Sequence, residues 1–199
     1  MNLILATGNA RKAEEVAAIL AHSNIRLLTT SQLWVKGAGA EDGSMLEQNA
    51  LSKAWYAYAR VPEGNWVAAD DTGLFIPALL GQPGVHSARW AGEGATTGDT
   101  MRYCLERMRG QRDRSALFRT VVAAIEPDGT AHIFQGRLKG HLLQEPRVLP
   151  VANMPYAALF VPEGEELSLA EMTIEHENAL SHRGQAFSKL RQFLEHHVP

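Results

Sequence analysis

Met1-Asn2-Leu3-Ile4-Leu5-Ala6-Thr7-Gly8-Asn9-Ala10-Arg11-Lys12-Ala13-Glu14-Glu15-Val16-Ala17-Ala18-Ile19-Leu20 opens the chain, and its reading sets the fold class. Leu3 to Ala6 is a short continuous apolar run, the form of a buried strand. Thr7-Gly8-Asn9 is a turn signal, after which Ala13, Val16, Ala17 and Leu20 recur at helical spacing. The chain therefore begins strand, polar turn, helix, the start of an α/β protein. Small polar groups, backbone N–H groups and Lys12 meet at that helix N-terminus, a combination that favours phosphate. Taken alone, the commoner outcome there is Asn9 as a helix cap with Lys12 solvated.

Working outward, Ile25 to Thr29 reads as a second strand. Leu46, Ala50, Ala54 and Ala57 mark one face of a helix from about Ser44 to Arg60. Asn49 and Lys53 lie four apart on a neighbouring face and can address one ligand together. Trp66-Val67-Ala68-Ala69 reads as a buried strand ending abruptly in Asp70-Asp71-Thr72-Gly73. A Gly/Pro-rich segment from Gly81 to Gly94 and a helix around Thr100 to Met108 follow. Leu117 to Ile125 and Ala131 to Gln135 read as strands joined at Pro127-Asp128-Gly129, and Tyr156 to Val161 as a last strand. A C-terminal helix carries Ala186, Leu190, Phe193 and Leu194. The hairpin makes the expected sheet mixed rather than purely parallel.

The bulk properties are those of one globular domain in 199 residues, 45 % hydrophobic and 21 % charged. A net charge of -3 argues against general nucleic-acid binding but leaves room for a small anionic ligand. Cys104 is the only cysteine, so an internal disulfide and a cysteine-built zinc site are excluded. Its place among Met101, Leu105 and Met108 marks it as core. The start lacks the basic and long apolar stretches of a signal peptide, and no run approaches the ~20 apolar residues of a membrane span. The chain reads as cytoplasmic, with no membrane partner.

Two further stretches could do chemistry. Adjacent carboxylates, Asp70-Asp71, at the end of an apolar strand are costly unless a metal or proton shares their field. They suit magnesium-assisted phosphoryl chemistry, and equally a turn in which one of them caps the backbone. Ser181-His182-Arg183-Gly184 opens the last helix, where Arg and His can hydrogen-bond a phosphate or a purine edge. A capping serine beside an incidental basic pair fits as well. No Gly-x-Ser-x-Gly elbow supports a serine hydrolase.

In order along the chain, Ala6-Thr7-Gly8-Asn9-x-x-Lys12-x-x-Glu15, Gln48-Asn49-Ala50-x-x-Lys53-Ala54, Ala69-Asp70-Asp71-Thr72-Gly73-Leu74, Pro83-Gly84-Val85-x-Ser87-Ala88-Arg89-Trp90-Ala91-Gly92 and Ser181-His182-Arg183-Gly184-Gln185-Ala186 resemble the inosine triphosphate pyrophosphatase family. The resemblance implies a single pyrophosphatase domain over residues 1–199. Its fold would be α/β, elongated and two-lobed, with a long curved mixed β-sheet flanked by helices and a nucleotide cleft between the lobes. It also implies a homodimer, Mg²⁺, and hydrolysis of non-standard purine nucleoside triphosphates to the monophosphate and pyrophosphate.

Carried over by position, Thr7, Asn9 and Lys12 form the triphosphate cradle, with Lys53 as a second cation. On the same resemblance Glu41 and Asp71 would be metal ligands with Asp70 in support, and Asp71 matches the carboxylate that activates the attacking water. His182 and Arg183 read the base, and Ser181 orients them. Thr72, Met154, Tyr156 and Glu177 complete the substrate-binding set.

The departures from the family pattern gather at the base pocket. Met154 stands for a stacking aromatic ring, Ala157 for an aspartate and Glu177 for a lysine. Gln48 replaces a glutamate, with Glu47 adjacent to compensate. These departures point to a base preference shifted towards guanine-like or modified nucleotides, or equally to broad or weak specificity. A nucleotide-binding protein without turnover is a separate alternative, against which the retained Asp71, Asp70, Lys12 and Lys53 argue.

Overall fold

The computed structural model describes residues 1–197. In chain order the elements are β1 (Asn2–Leu5), α1 (Ala10–Leu20), β2 (Arg26–Thr29), α2 (Leu46–Tyr58), β3 (Trp66–Phe75), β4 (Pro83–Gly84), α3 (Thr97–Arg107), β5 (Ser115–Ile125), β6 (Ala131–Leu142), β7 (Phe160–Pro162), α4 (Ile174–Leu180) and α5 (His182–His197). The chain is α/β with a seven-stranded mixed sheet. Its contacts divide it into two compact units. The first comprises Met1–Asp71, Thr120–Gly136 and the chain from Asn178 onward; the second comprises Thr72–Arg119 and Arg137–Glu177.

In the first unit β1 pairs in parallel with both β2 and β3, as Leu3↔Leu27 and Ile4↔Val67 show. Successive strand residues face opposite sides, and the core divides accordingly. Leu3, Leu5, Trp66 and Ala68 pack with Val16, Ile19 and Leu20 of α1 and with Phe187, Leu190 and Leu194 of α5. Ile4 and Val67 pack the other way, against Ala57 of α2. So β3 has α1 and α5 on one side and α2 on the other. Continuing the alternation along β3 puts Asp70 on the side of Trp66 and Ala68, and Asp71 on the side of Val67.

In the second unit β4 pairs antiparallel with the end of β3 (Leu74↔Gly84), and β7 pairs antiparallel with the end of β6 (Gly140↔Pro162). Helix α3 starts in a capping box, where Thr96 accepts from Asp99 N–H and the Asp99 carboxylate accepts from Thr96 N–H. Cys104 is fully buried, and burial pushes its thiol up to about 12, so it behaves as a small hydrophobe.

Two sequence expectations need correction, and one helix has no counterpart among them. Strand β3 does not end at Asp70-Asp71-Thr72-Gly73 but runs through them to Phe75. The turn-forming residues stay extended because Leu74 and Phe75 find strand partners in β4. Tyr156 to Leu159 is not strand but a turn, closed by bonds such as Leu159 N–H to Tyr156 O, and β7 begins at Phe160. Helix α4 was not anticipated. No helix among the described residues is long and apolar enough to cross a membrane.

Candidate active site

The polar turn after β1 is built by local hydrogen bonds. Asn9 caps α1, its side chain accepting from Lys12 N–H, while Thr7 Oγ1 accepts from Asn9 N–H at 3.1 Å. Thr7 O accepts from Ser31 Oγ at 3.3 Å, which ties the turn to the chain after β2. The cap therefore forms, and it forms at the wall of a cavity of about 210 Å³. Thr7, Gly8, Asn9, Lys12, Glu41 and Lys53 are among its lining residues. Two lysines and the positive end of an eleven-residue helix thus share one hollow.

On the α1 and α5 side of β3, Asp70 is 2 % exposed. Lys12 Nζ lies 2.8 Å from its Oδ1, and Arg183 Nε lies 3.6 Å from its Oδ2. Burial alone would raise this carboxyl, but Lys12 and Arg183 hold it well below the usual carboxylate range. Arg183 also donates to Glu15, whose carboxylate accepts from Arg11 Nε at 3.1 Å as well. Burial pulls Lys12 below the ordinary lysine value, against the pull of Asp70. The result is a buried network of two carboxylates and two cations, with Arg11 at its edge.

Its other anchor is the start of α5. Ser181 Oγ accepts from Gly184 N–H at 3.0 Å, a helix cap that sets His182 and Arg183 in the first turn. The cap is tight: a Cβ at Gly184 would lie 2.0 Å from Asn178 O. His182 is 4 % exposed, and burial, with Arg183 beside it, lowers its imidazole well below the ordinary histidine value. It is neutral near pH 7.

On the α2 side, Asp71 is 8 % exposed. Lys53 Nζ donates to Asp71 Oδ1 and to Glu41 Oε1, each at 2.7 Å. Asn49 Nδ2 donates to Asp71 Oδ2 at 3.0 Å. Burial pushes Asp71 above the ordinary carboxylate value despite Lys53. Burial works against the charge of Lys53, yet Asp71 and Asp70 raise it above the ordinary lysine value. Glu41 Oε1 and Asp71 Oδ1 therefore flank a single cationic nitrogen.

Among the described residues no three His, Cys, Asp or Glu groups form a ready cage for a metal. Magnesium does not need one, since it commonly keeps water and takes one or two carboxylates together with substrate phosphates. Glu41 and Asp71 fit that donor set, with all-oxygen ligands already gathered around one positive charge.

Thr7, Asn9, Lys12, Lys53, Glu41, Asp70, Asp71, Ser181, His182 and Arg183 all lie in the first unit. Thr72, Met154, Tyr156 and Glu177 lie in the second. Thr72 follows Asp71 on β3 and is half-buried. Met154 is half-buried, and its backbone closes a turn with Val151. Tyr156 is a core residue, 3 % exposed, whose hydroxyl donates to Ser87 O at 2.7 Å. Burial raises that phenol above the ordinary tyrosine value. Glu177 is a buried carboxylate on α4.

Two residues gained roles that their motifs did not assign. Glu15 occupies a fully buried position beside Val16 on α1, and that acid among apolar neighbours was the available signal. Asn49, expected to address a ligand together with Lys53, addresses Asp71 instead. Gln48 accepts from Ser44 N–H, and Glu47 accepts from Gln135 Nε2 at 3.0 Å, so Glu47 is engaged with β6.

The Ham1 family model matches residues 3–193. A dITP/XTP pyrophosphatase of Thermoanaerobacter pseudethanolicus is 38% identical, over 98% of this chain and 96% of that protein. One of Deinococcus deserti is 41% identical, over 95% and 87%. Among solved structures, a HAM1 protein from Coxiella burnetii superposes with a TM-score of 0.84 at 32% identity, covering 98% of both chains. The Ham1 protein of Staphylococcus aureus gives 0.83 at 28% identity, over 98% of this chain and 99% of that one.

Proposed function

The chain belongs to the Ham1 family, and from that premise we propose that it hydrolyses non-standard purine nucleoside triphosphates to the monophosphate and pyrophosphate, with Mg²⁺ as cofactor. The observation that carries this reading is the pair of carboxylates, Glu41 and Asp71, gathered on one ammonium beside a helix N-terminus and Lys12.

The residues divide the work. The N-terminus of α1, Thr7, Lys12 and Lys53 receive the triphosphate and offset its charge against the incoming water. Glu41 and Asp71 would hold the ion, which supplies charge neutralisation of the phosphate oxygens when bound. Asp71 orients a water and accepts its proton as the water oxygen bonds to the α-phosphorus. The bond from that phosphorus to the bridging oxygen breaks, and pyrophosphate leaves. Asp70 is spent on Lys12 and Arg183, so we place it as the anchor of the cation network and not on the ion.

Base reading falls to His182 and Arg183 of the first unit, while Met154 and Glu177 of the second are carried over from the family resemblance alone. A neutral, buried His182 can present either a donor or an acceptor nitrogen. A second reading of the base rests on Glu177 and Ala157, 1 % and 2 % exposed, where the family resemblance leads one to expect a lysine and an aspartate. A carboxylate there favours bases that display N–H donors, as guanine does. Homodimerisation and a cytoplasmic location go with the enzyme reading, and light scattering on the purified protein tests the former.

The test is pyrophosphate release from a panel of nucleoside triphosphates in Mg²⁺. Inosine, deoxyinosine and xanthosine triphosphates should be turned over fastest. Preference for a guanine nucleotide, reversed by Glu177→Lys, would establish the second reading. Nucleotide binding without release from any member would contradict both.

A further inference from the structure

Glu41 lies between β2 and α2, on a stretch from 36 to 43 with no helix or strand of its own. Something else must fix its position. The loop lies directly on α2, since a Cβ at Gly39 would come within 2.4 Å of Ser52 O. Tyr56 Oη donates to Lys36 O at 2.9 Å and holds the loop's near end. At its far end Gly43 N–H donates to Asn49 Oδ1 at 2.9 Å. The other half of that same amide donates to Asp71 Oδ2.

This geometry leaves Asn49 one orientation. Its oxygen must face the Gly43 N–H, so its NH₂ must face the carboxylate. The amide is 1 % exposed, so no water substitutes for either bond without cost. It also takes only Asp71 Oδ2, leaving Oδ1 on the side shared with Glu41 across Lys53. Lys53 makes a similar bridge, but by charge, and an incoming cation competes with that charge for the same two oxygens. The neutral amide does not compete.

We infer that Asn49 is a positioning residue for the metal site, its single amide fixing the Asp71 carboxylate on one side and the Glu41 loop on the other. The inference rests on the pyrophosphatase reading above and extends it to a residue that touches neither ion nor nucleotide. Partners that orient metal ligands typically contribute 10–100-fold to metal affinity or activity.

The test is Mn²⁺ binding to the nucleotide-free protein, followed by the paramagnetic signal of the free ion, beside the Mg²⁺ dependence of pyrophosphate release. Asn49→Ala should weaken Mn²⁺ binding about 10–100-fold and raise the half-activating Mg²⁺ concentration by a similar factor. Activity lost at low Mg²⁺ should recover as the ion is raised, which a merely misfolded variant would not do. If Asn49→Ala does not fold, Asn49→Ser, too short to reach both partners, carries the same measurement. Unchanged Mn²⁺ affinity and unchanged half-activation would overturn the inference. Should the wild type bind no Mn²⁺ and Asp71→Asn leave release untouched, the failure would belong to the pyrophosphatase reading instead.

Discussion

Asp70 and Asp71 are neighbours in the chain, yet their surroundings on β3 have little in common. One residue step turns a strand side chain to the opposite face, so Asp70 meets α1 and α5 while Asp71 meets α2. Around Asp70 the charges are matched: Lys12 and Arg183 flank the carboxylate, buried Glu15 backs Arg183, and Asp70 is held far below the usual carboxylate range at the wall of the cavity it shares with Lys12. Around Asp71 the match is looser. Its carboxylate is pushed upward by burial and shares Lys53 with the part-exposed Glu41. The first face resembles a structural lock and the second a site kept ready for a cation. Identical side chains acquire different chemistry from which helix lies over each.

Several substitutions sharpen or break that contrast. The largest effect belongs to the locked face. Glu15→Gln removes the nearer of the two buried carboxylates on Arg183 and leaves it only Asp70, and breaking such a pair costs up to about 3–5 kcal/mol. Urea unfolding should show that loss, and an unchanged midpoint would mean the network is not a lock.

A smaller effect follows from His182, whose folded-state value lies well below that of the unfolded chain. Between those two values the unfolded state binds the extra proton, so stability falls as the pH drops below about 6.5. This one proton contributes at most about 1.4 kcal/mol per pH unit. His182→Asn should flatten that part of the stability profile, and a wild-type profile already flat from pH 7 to 5 would contradict the assignment. Smallest is Ser181→Ala, which removes the cap of α5 at about 1 kcal/mol. A lower melting temperature is expected, together with some loss of base discrimination, because that cap sets His182 and Arg183.

Much of this was legible in the residues. The strand, turn and helix at the N-terminus appear as read, because the apolar run and the 3.6-residue spacing leave little choice. The two lysines and the carboxylate pair stand out in the residues themselves, while Glu41 enters only through the family resemblance. The division of labour between Asp70 and Asp71 was hidden because Asp-Asp-Thr-Gly reads as a turn. A turn has no alternating faces, whereas strand pairing carries β3 through these residues to its contact with β4. Glu15 escaped because its partner, Arg183, lies at the far end of the chain. Tyr156 was expected among the substrate contacts, and nothing local announces that its hydroxyl goes to Ser87 O. The helix α4 is short, and its seven residues carry no apolar period long enough to read.

The most direct test of the contrast sets Asp70→Asn beside Asp71→Asn and measures both unfolding free energy and Mg²⁺-dependent pyrophosphate release. Asp71→Asn should lose about 10²–10⁴ in rate while its stability stays close to wild type. Asp70→Asn should lose up to about 3–5 kcal/mol of stability, because Lys12 loses its carboxylate and Arg183 keeps only Glu15. The opposite pattern, with Asp70→Asn inactive but stable and Asp71→Asn active but destabilised, would contradict the account.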